Sequence, residues 1–186
     1  KERMKNTNHS LFDKYEMIKD LGTGSSGSVT LVRHISMDQE RALKKVPKAS
    51  AFAESALSEA RLLKSLEHPS IPRIFDFEED DAFYYIVEEY IDGETLDSFL
   101  LHQQLISPGL FFNICEQLCN VFIYLHTQIS TPIIYRDLKP EHIIVCHNKL
   151  KLIDFGVSAY VIQDGNNFNH YGNIEFSAPE CFTEDT

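Results

Sequence analysis

Tyr135-Arg136-Asp137-Leu138-Lys139-Pro140-Glu141-His142, followed twelve residues after His142 by Asp154-Phe155-Gly156, carries more information than any other part of the chain. It sets a carboxylate and a lysine two residues apart, and later a second carboxylate just ahead of a glycine. A carboxylate that takes a hydroxyl proton, a lysine that neutralises phosphate charge and a carboxylate that holds magnesium between phosphates are the parts of phosphoryl transfer.

Further motifs stand in a fixed order around this segment. Gly22-Thr23-Gly24-Ser25-Ser26-Gly27-Ser28-Val29 fits G-x-G-x-x-G-x-V, Ala42-Leu43-Lys44 fits the end of V-A-I-K, and Ala178-Pro179-Glu180 closes the set. The glycines alone are weak evidence, because a dinucleotide-binding turn uses the same spacing and a plain hairpin turn also favours glycine. The dinucleotide fingerprint needs a helix next, whereas Ser28 to Arg33 is a β-favouring run. A Walker P-loop is excluded, since no Lys-Ser or Lys-Thr follows the last glycine.

Taken together, the motifs resemble the eukaryotic-like (Hanks-type) serine/threonine protein kinase domain, of bacterial kind, from about Tyr15 to Glu180. The resemblance implies an α+β, two-lobe fold. Residues 1–90 would form an ATP-binding lobe, an antiparallel five-stranded sheet with one helix. Residues 91–186 would form a partial, mainly helical C-terminal lobe with the catalytic loop and activation segment.

Pattern reading agrees with that order. Strands are expected near 15–22, 27–34, 41–46, 73–78 and 83–89, with a helix over 51–67. Phe52, Ala56, Glu59, Leu63 and Leu66 fall on one helical stripe, and a carboxylate among apolar residues needs a partner. The resemblance makes Lys44 that partner and has it steady the α- and β-phosphates of ATP. Tyr90 to Gly93 breaks the strand pattern and implies a hinge. By resemblance the Glu89 carbonyl and Ile91 amide read adenine, with Leu21, Val29, Ala42 and Ile144 around the ring and Gly22, Gly24 and Gly27 over the phosphates. Glu88 stands where the family usually places an apolar residue, and it needs a hydrogen-bond partner if buried. Ser107-Pro108 reads as an N-cap and first helical residue of a helix to about His126, and the segments 143–145 and 150–153 read as a hairpin about His147-Asn148.

The resemblance gives Asp137 the substrate proton, Lys139 the charge on the transferred group and Asp154 the magnesium. Lys139 two residues after Asp137 points to serine/threonine rather than tyrosine substrates. Three departures from the pattern bear on activity. His142 replaces the asparagine that binds a second magnesium; imidazole is a softer donor than oxygen, so a weakened magnesium site and a shift toward manganese are expected. Asn173 replaces a hydroxyl residue, no threonine lies between Asp154 and Glu180, and Arg136 has only Ser158, Tyr160, Tyr171 or Ser177 as phosphorylated partners. Tyr135 replaces a histidine and is expected to pack beneath the loop. The third departure is that the chain begins at Lys1 and stops six residues after Glu180. It therefore reads as a piece of a longer kinase, with apolar surface of the 108–126 helix left uncovered and available for self-association.

Composition bounds the rest. The 186 residues, 43% hydrophobic, suffice for a sizeable core. There is no apolar run long enough for a membrane span, and the polar first ten residues are not a signal peptide. A formal net charge of −11 argues against nucleic acid as a partner. Cys115, Cys119, Cys146 and Cys181 lack zinc spacing and fit a cytoplasmic protein, Cys115 and Cys119 as small buried hydrophobes. The expected partners are ATP and a protein substrate. The alternative is a pseudokinase that binds nucleotide without transferring phosphate; a small-molecule phosphotransferase is disfavoured by Ala178-Pro179-Glu180.

Overall fold

β-branched and aromatic residues with a two-residue period build five strands: β1 (Tyr15–Gly24), β2 (Gly27–His34), β3 (Gln39–Pro47), β4 (Ile74–Glu79) and β5 (Phe83–Glu89). The computed structural model describes residues 10–24, 27–102, 105–161 and 175–179. The strands form one antiparallel sheet in the order β1-β2-β3-β5-β4, the sheet expected from the sequence. They belong to the first of two compact units, Lys1–Leu57 with Ile74–Tyr90; the second comprises Ser58–Arg73 and Ile91–Thr186.

Residues directly opposite in an antiparallel ladder share a face. Thr30, Leu43 and Val87 make one such row, and Val29, Lys44 and Ile86 the next, on the other face. The first face buries Val32, Leu43, Tyr85 and Val87 against Tyr15 and Leu11. Leu11 comes from a single helical turn, α1 (Leu11–Lys14), that the sequence reading left unstructured. Its amide donates to Glu78 Oε2 at 2.8 Å, and Lys14 Nζ meets Asp76 Oδ2 at 2.8 Å, so polar contacts seat one buried leucine. On the other face Val46 packs against Ala53 and Ala56, with Tyr84 alongside. Asp80 closes the β4–β5 turn by accepting from the amides of Ala82 (2.8 Å) and Phe83 (2.7 Å) and from the Tyr85 hydroxyl (2.8 Å). Those bonds, the Ala82 amide foremost, hold its carboxyl below the usual aspartate value.

The helix α2 (Ala53–Lys64) is shorter than the expected 51–67. Phe52 lies in the turn before it, exposed, with its amide on Ser50 Oγ, so it does not belong to the buried stripe; Ala56, Leu63 and Leu66 do. Beyond Lys64 the chain tightens, with Ser65 and Leu66 amides bonded three residues back to Leu62 and Leu63.

In the second unit, Ser107 Oγ accepts the Leu110 amide and Pro108 opens α4 (Pro108–Ile123), as its sequence predicts. A π turn over Tyr124–Gln128 carries the helical path past His126. Ahead of α4 in the chain, α3 (Leu96–His102) was not anticipated. The strands β6 (Glu94–Thr95), β8 (Ile143–Cys146) and β9 (Lys149–Leu152) form a small sheet, and β7 (Ile133–Ile134) pairs with β10 (Ala159–Tyr160). The β8–β9 pair is the expected hairpin, turning at His147 with φ 57°. Gln117 of α4 clamps it, donating to the Asn148 carbonyl at 2.9 Å and accepting the Leu150 amide at 3.0 Å. Val121, Leu125, Ile133, Tyr135, Leu150, Leu152 and Phe155 are buried. Cys119 is exposed and Cys115 half-buried on α4, so these are not the buried hydrophobes expected. No helix among the described residues is long and apolar enough to cross a membrane.

Of Gly22, Gly24 and Gly27, only Gly27 is demanded by packing. Its φ is +147°, and a Cβ there would stand 2.1 Å from the Lys45 carbonyl oxygen, whereas a Cβ at Gly24 would meet nothing within 4 Å. Gly27→Ala is therefore expected to destabilise the chain by roughly 1–3 kcal/mol or more, and Gly24→Ala to stay within about 0.5 kcal/mol of the parent. Urea unfolding of the two variants checks this, and equal midpoints would refute the packing argument.

Candidate active site

The first unit presents its half of the predicted residues from strands. Register puts Val29, Ala42 and Lys44 on one face of the sheet, with Leu21 at an irregularity of β1 between Asp20 and Gly22. Glu88 pairs with Ala42 and shares that face, but it is half-buried, so the sequence-based concern over a fully buried carboxylate does not arise. Glu89 ends β5 opposite Arg41.

The second unit gathers the chemistry. After β7 the chain reaches Arg136, whose φ of 73° turns it sharply, and Asp137 follows. Lys139 Nζ sits 3.1 Å from Asp137 Oδ2, both side chains largely covered. Pro140 then starts a single 3-10 turn, Pro140–His142, closed by the His142 amide on the Lys139 carbonyl at 3.0 Å. This turn rolls His142 back under Asp137: Nδ1 lies 2.9 Å from the Asp137 carbonyl oxygen and 3.4 Å from its Oδ2. Nε2 of the same ring lies 3.2 Å from Asp154 Oδ2. The ring is buried, so it does not face away into solvent; it bridges the two aspartates. Ile144 follows in β8, and Ile91 precedes β6.

Asp154 follows β9 with φ 61°, a left-handed conformation uncommon outside glycine, and its side chain is half-exposed. The neighbours fix it. The Ile153 amide donates to the His142 carbonyl at 2.9 Å, and the Phe155 amide donates to Glu59 Oε1 at 2.9 Å. The Tyr135 hydroxyl donates to the Ile153 carbonyl, and its ring meets Phe155 edge-on at 5.0 Å between centroids. Burial pushes the Tyr135 phenol far above the usual tyrosine value, with the charges of Asp154, Asp137 and Glu59 adding, so it remains a hydrogen donor at neutral pH.

Two roles escaped the sequence reading. Tyr135 does more than pack beneath the loop, because its hydroxyl holds the main chain next to Asp154. Ser158, weighed there as a phosphate carrier, donates its hydroxyl to the Tyr135 carbonyl at 3.1 Å and braces the same loop. No residue spacing signals either. Arg136, Asp137, Phe176 and Ser177 line one hollow of about 250 Å³ together with Phe122 and His126. Tyr171, Asn173 and Glu180 lie outside the described residues. Among the described residues no three His, Cys, Asp or Glu side chains gather as a metal site. His142 Nε2 and Asp154 Oδ2 stand 3.2 Å apart.

The family model described as the protein kinase domain matches residues 15–186. The chain is similar to serine/threonine-protein kinase PrkC of Bacillus subtilis, 31% identical over 90% of this chain and 26% of that protein. It is also similar to serine/threonine-protein kinase ppk25 of Schizosaccharomyces pombe, 34% identical over 87% of this chain and 39% of that protein. A third relative is calcium-dependent protein kinase 4 of Plasmodium falciparum, 32% identical over 95% and 35% respectively. The chain thus spans between a quarter and two fifths of the length of these relatives.

The phenol of Tyr135 gives the site a measurable dependence. Tyr135→Phe keeps the edge-on ring but leaves the Ile153 carbonyl without that donor, a loss expected to cost about 1–3 kcal/mol. Urea unfolding reads it; an unchanged midpoint would mean that the ring alone holds the segment.

Proposed function

The chain belongs to the protein kinase domain family, and from that premise we propose that it is the catalytic part of an ATP-dependent serine/threonine kinase that transfers the γ-phosphate of ATP to a protein hydroxyl. The observation that carries this reading is the convergence of Lys139 and the His142 ring on Asp137, with Asp154 on the far side of that ring. Asp137 orients the incoming hydroxyl and takes its proton, which typically contributes 10²–10⁴-fold. Lys139, already beside it, neutralises charge on the transferred group. Asp154, half-exposed and rigidly seated, is the carboxylate for a divalent ion, which when bound would screen phosphate charge.

On this reading residues 1–90 are the nucleotide-binding lobe and residues 91–186 part of the substrate lobe. Gly22, Gly24 and Gly27 lie over the phosphates and Lys44 steadies them, partnered by Glu59; Leu21, Val29, Ala42 and Ile144 enclose adenine, read by the Glu89 carbonyl and Ile91 amide. The open space at Gly22 and Gly24 supports a close approach of phosphate to the backbone there. Exposed Phe111, Phe112 and Ile123 on α4 support a further contact surface for self-association.

Transfer of labelled γ-phosphate to a protein acceptor tests the proposal. Asp137→Asn should lower the rate by about 10²–10⁴-fold while ATP is still retained. Transfer unaffected by that change, or none from the parent despite retained ATP, would overturn it, the second result pointing to a nucleotide-binding module without catalysis.

A further inference from the structure

We infer that His142 Nε2 and the Asp154 carboxylate form a mixed nitrogen–oxygen site that takes a divalent d-block ion in preference to magnesium when nucleotide is bound. The inference rests on the kinase reading for the nucleotide that completes the site. The Asp137 carbonyl oxygen 2.9 Å from Nδ1 can only accept, so Nδ1 donates there, and Nε2 faces Asp154 Oδ2, where a divalent ion would take the place of any hydrogen between the two. A histidine that ligates metal through one nitrogen characteristically anchors the other on a backbone carbonyl in this way.

Distance supports the same assignment. Two donors each about 2.1 Å from one ion and at right angles stand about 3.0 Å apart. Nε2 and Asp154 Oδ2 are 3.2 Å apart. The ring has little freedom to leave: His142 is buried, its amide bonds to the Lys139 carbonyl and its own carbonyl receives the Ile153 amide. Asp154 is half-exposed, so the pair has an open side toward solvent, where phosphate oxygens would complete the ligand shell. Imidazole nitrogen raises affinity along the d-block series, whereas magnesium favours an all-oxygen shell, so the ring biases the site against magnesium.

The test uses manganese as the paramagnetic probe, with a non-hydrolysable ATP analogue and retention of labelled nucleotide followed separately. Electron spin-echo modulation of the bound manganese should show coupling to a histidine nitrogen in the parent chain. Labelling the parent with ¹⁵N-histidine should change that coupling without any substitution. In His142→Asn the coupling should vanish, and the excess of magnesium needed to displace manganese should fall by at least about tenfold. Retained nucleotide and bound manganese without nitrogen coupling, or equal displacement in parent and variant, would overturn the inference and leave the kinase reading intact. Nitrogen coupling without phosphate transfer would support the site and overturn the kinase reading. Failure to retain nucleotide would overturn both.

Discussion

The position of Asp154 depends on hydrogen bonds made by the residues either side of it. Its own carboxylate receives the Gly156 amide at 3.3 Å and faces His142 Nε2 at 3.2 Å, while its side chain stays half-exposed. Its backbone is in the left-handed region, a conformation that costs on the order of 1–3 kcal/mol. Three bonds oppose that cost: Ile153 amide to His142, Tyr135 hydroxyl to Ile153, and Phe155 amide to Glu59. At about 0.5–1.5 kcal/mol net apiece they match or exceed the strain, before the burial of the Tyr135 and Phe155 rings is counted. The carboxylate is thus displayed at an end of β9 that is fixed from three directions.

Those three directions come from parts of the sequence far apart, which explains what could and could not be read in advance. The sheet was legible because a two-residue period with a buried face leaves one register. The hairpin 143–152 was legible because a polar turn separates two apolar runs. The family was legible because its motifs stand in their order along the chain. Periodicity failed where a single contact decides the structure. Leu11 and Phe12 are an adjacent apolar pair in a polar segment, too short to set a period, yet the burial of Leu11 and the Glu78 and Asp76 contacts define that turn. Phe52 fits the helical period and lies outside the helix because the Ser50 hydroxyl takes its amide first. The reach of Tyr135 to Ile153 crosses 18 residues and has no local signature.

Glu59 has a main-chain partner that the argument from sequence did not anticipate. A carboxylate on an apolar stripe was expected to require a cation, by the cost of an unpaired buried charge. The side chain is half-buried, and one of its oxygens accepts a main-chain amide of the segment that carries Asp154. A charged acceptor on a neutral donor is worth roughly 1.5–3 kcal/mol.

His142 and Tyr135 both depart from the residues that the family resemblance implies at their positions. An asparagine offers one donor and one acceptor on a short planar group; histidine with its hydrogen on Nδ1 offers the same pair across a ring. The Asp137 carbonyl takes the Nδ1 hydrogen, and Nε2 faces Asp154 Oδ2 at 3.2 Å. The main-chain anchor is therefore met by either residue, and what differs is the atom left facing the second carboxylate. Nitrogen there is softer than oxygen and less suited to magnesium, while the buried ring is less able than an amide to rotate away. In the proposed metal site, a substitution that looks like the loss of a motif residue changes which ion is favoured.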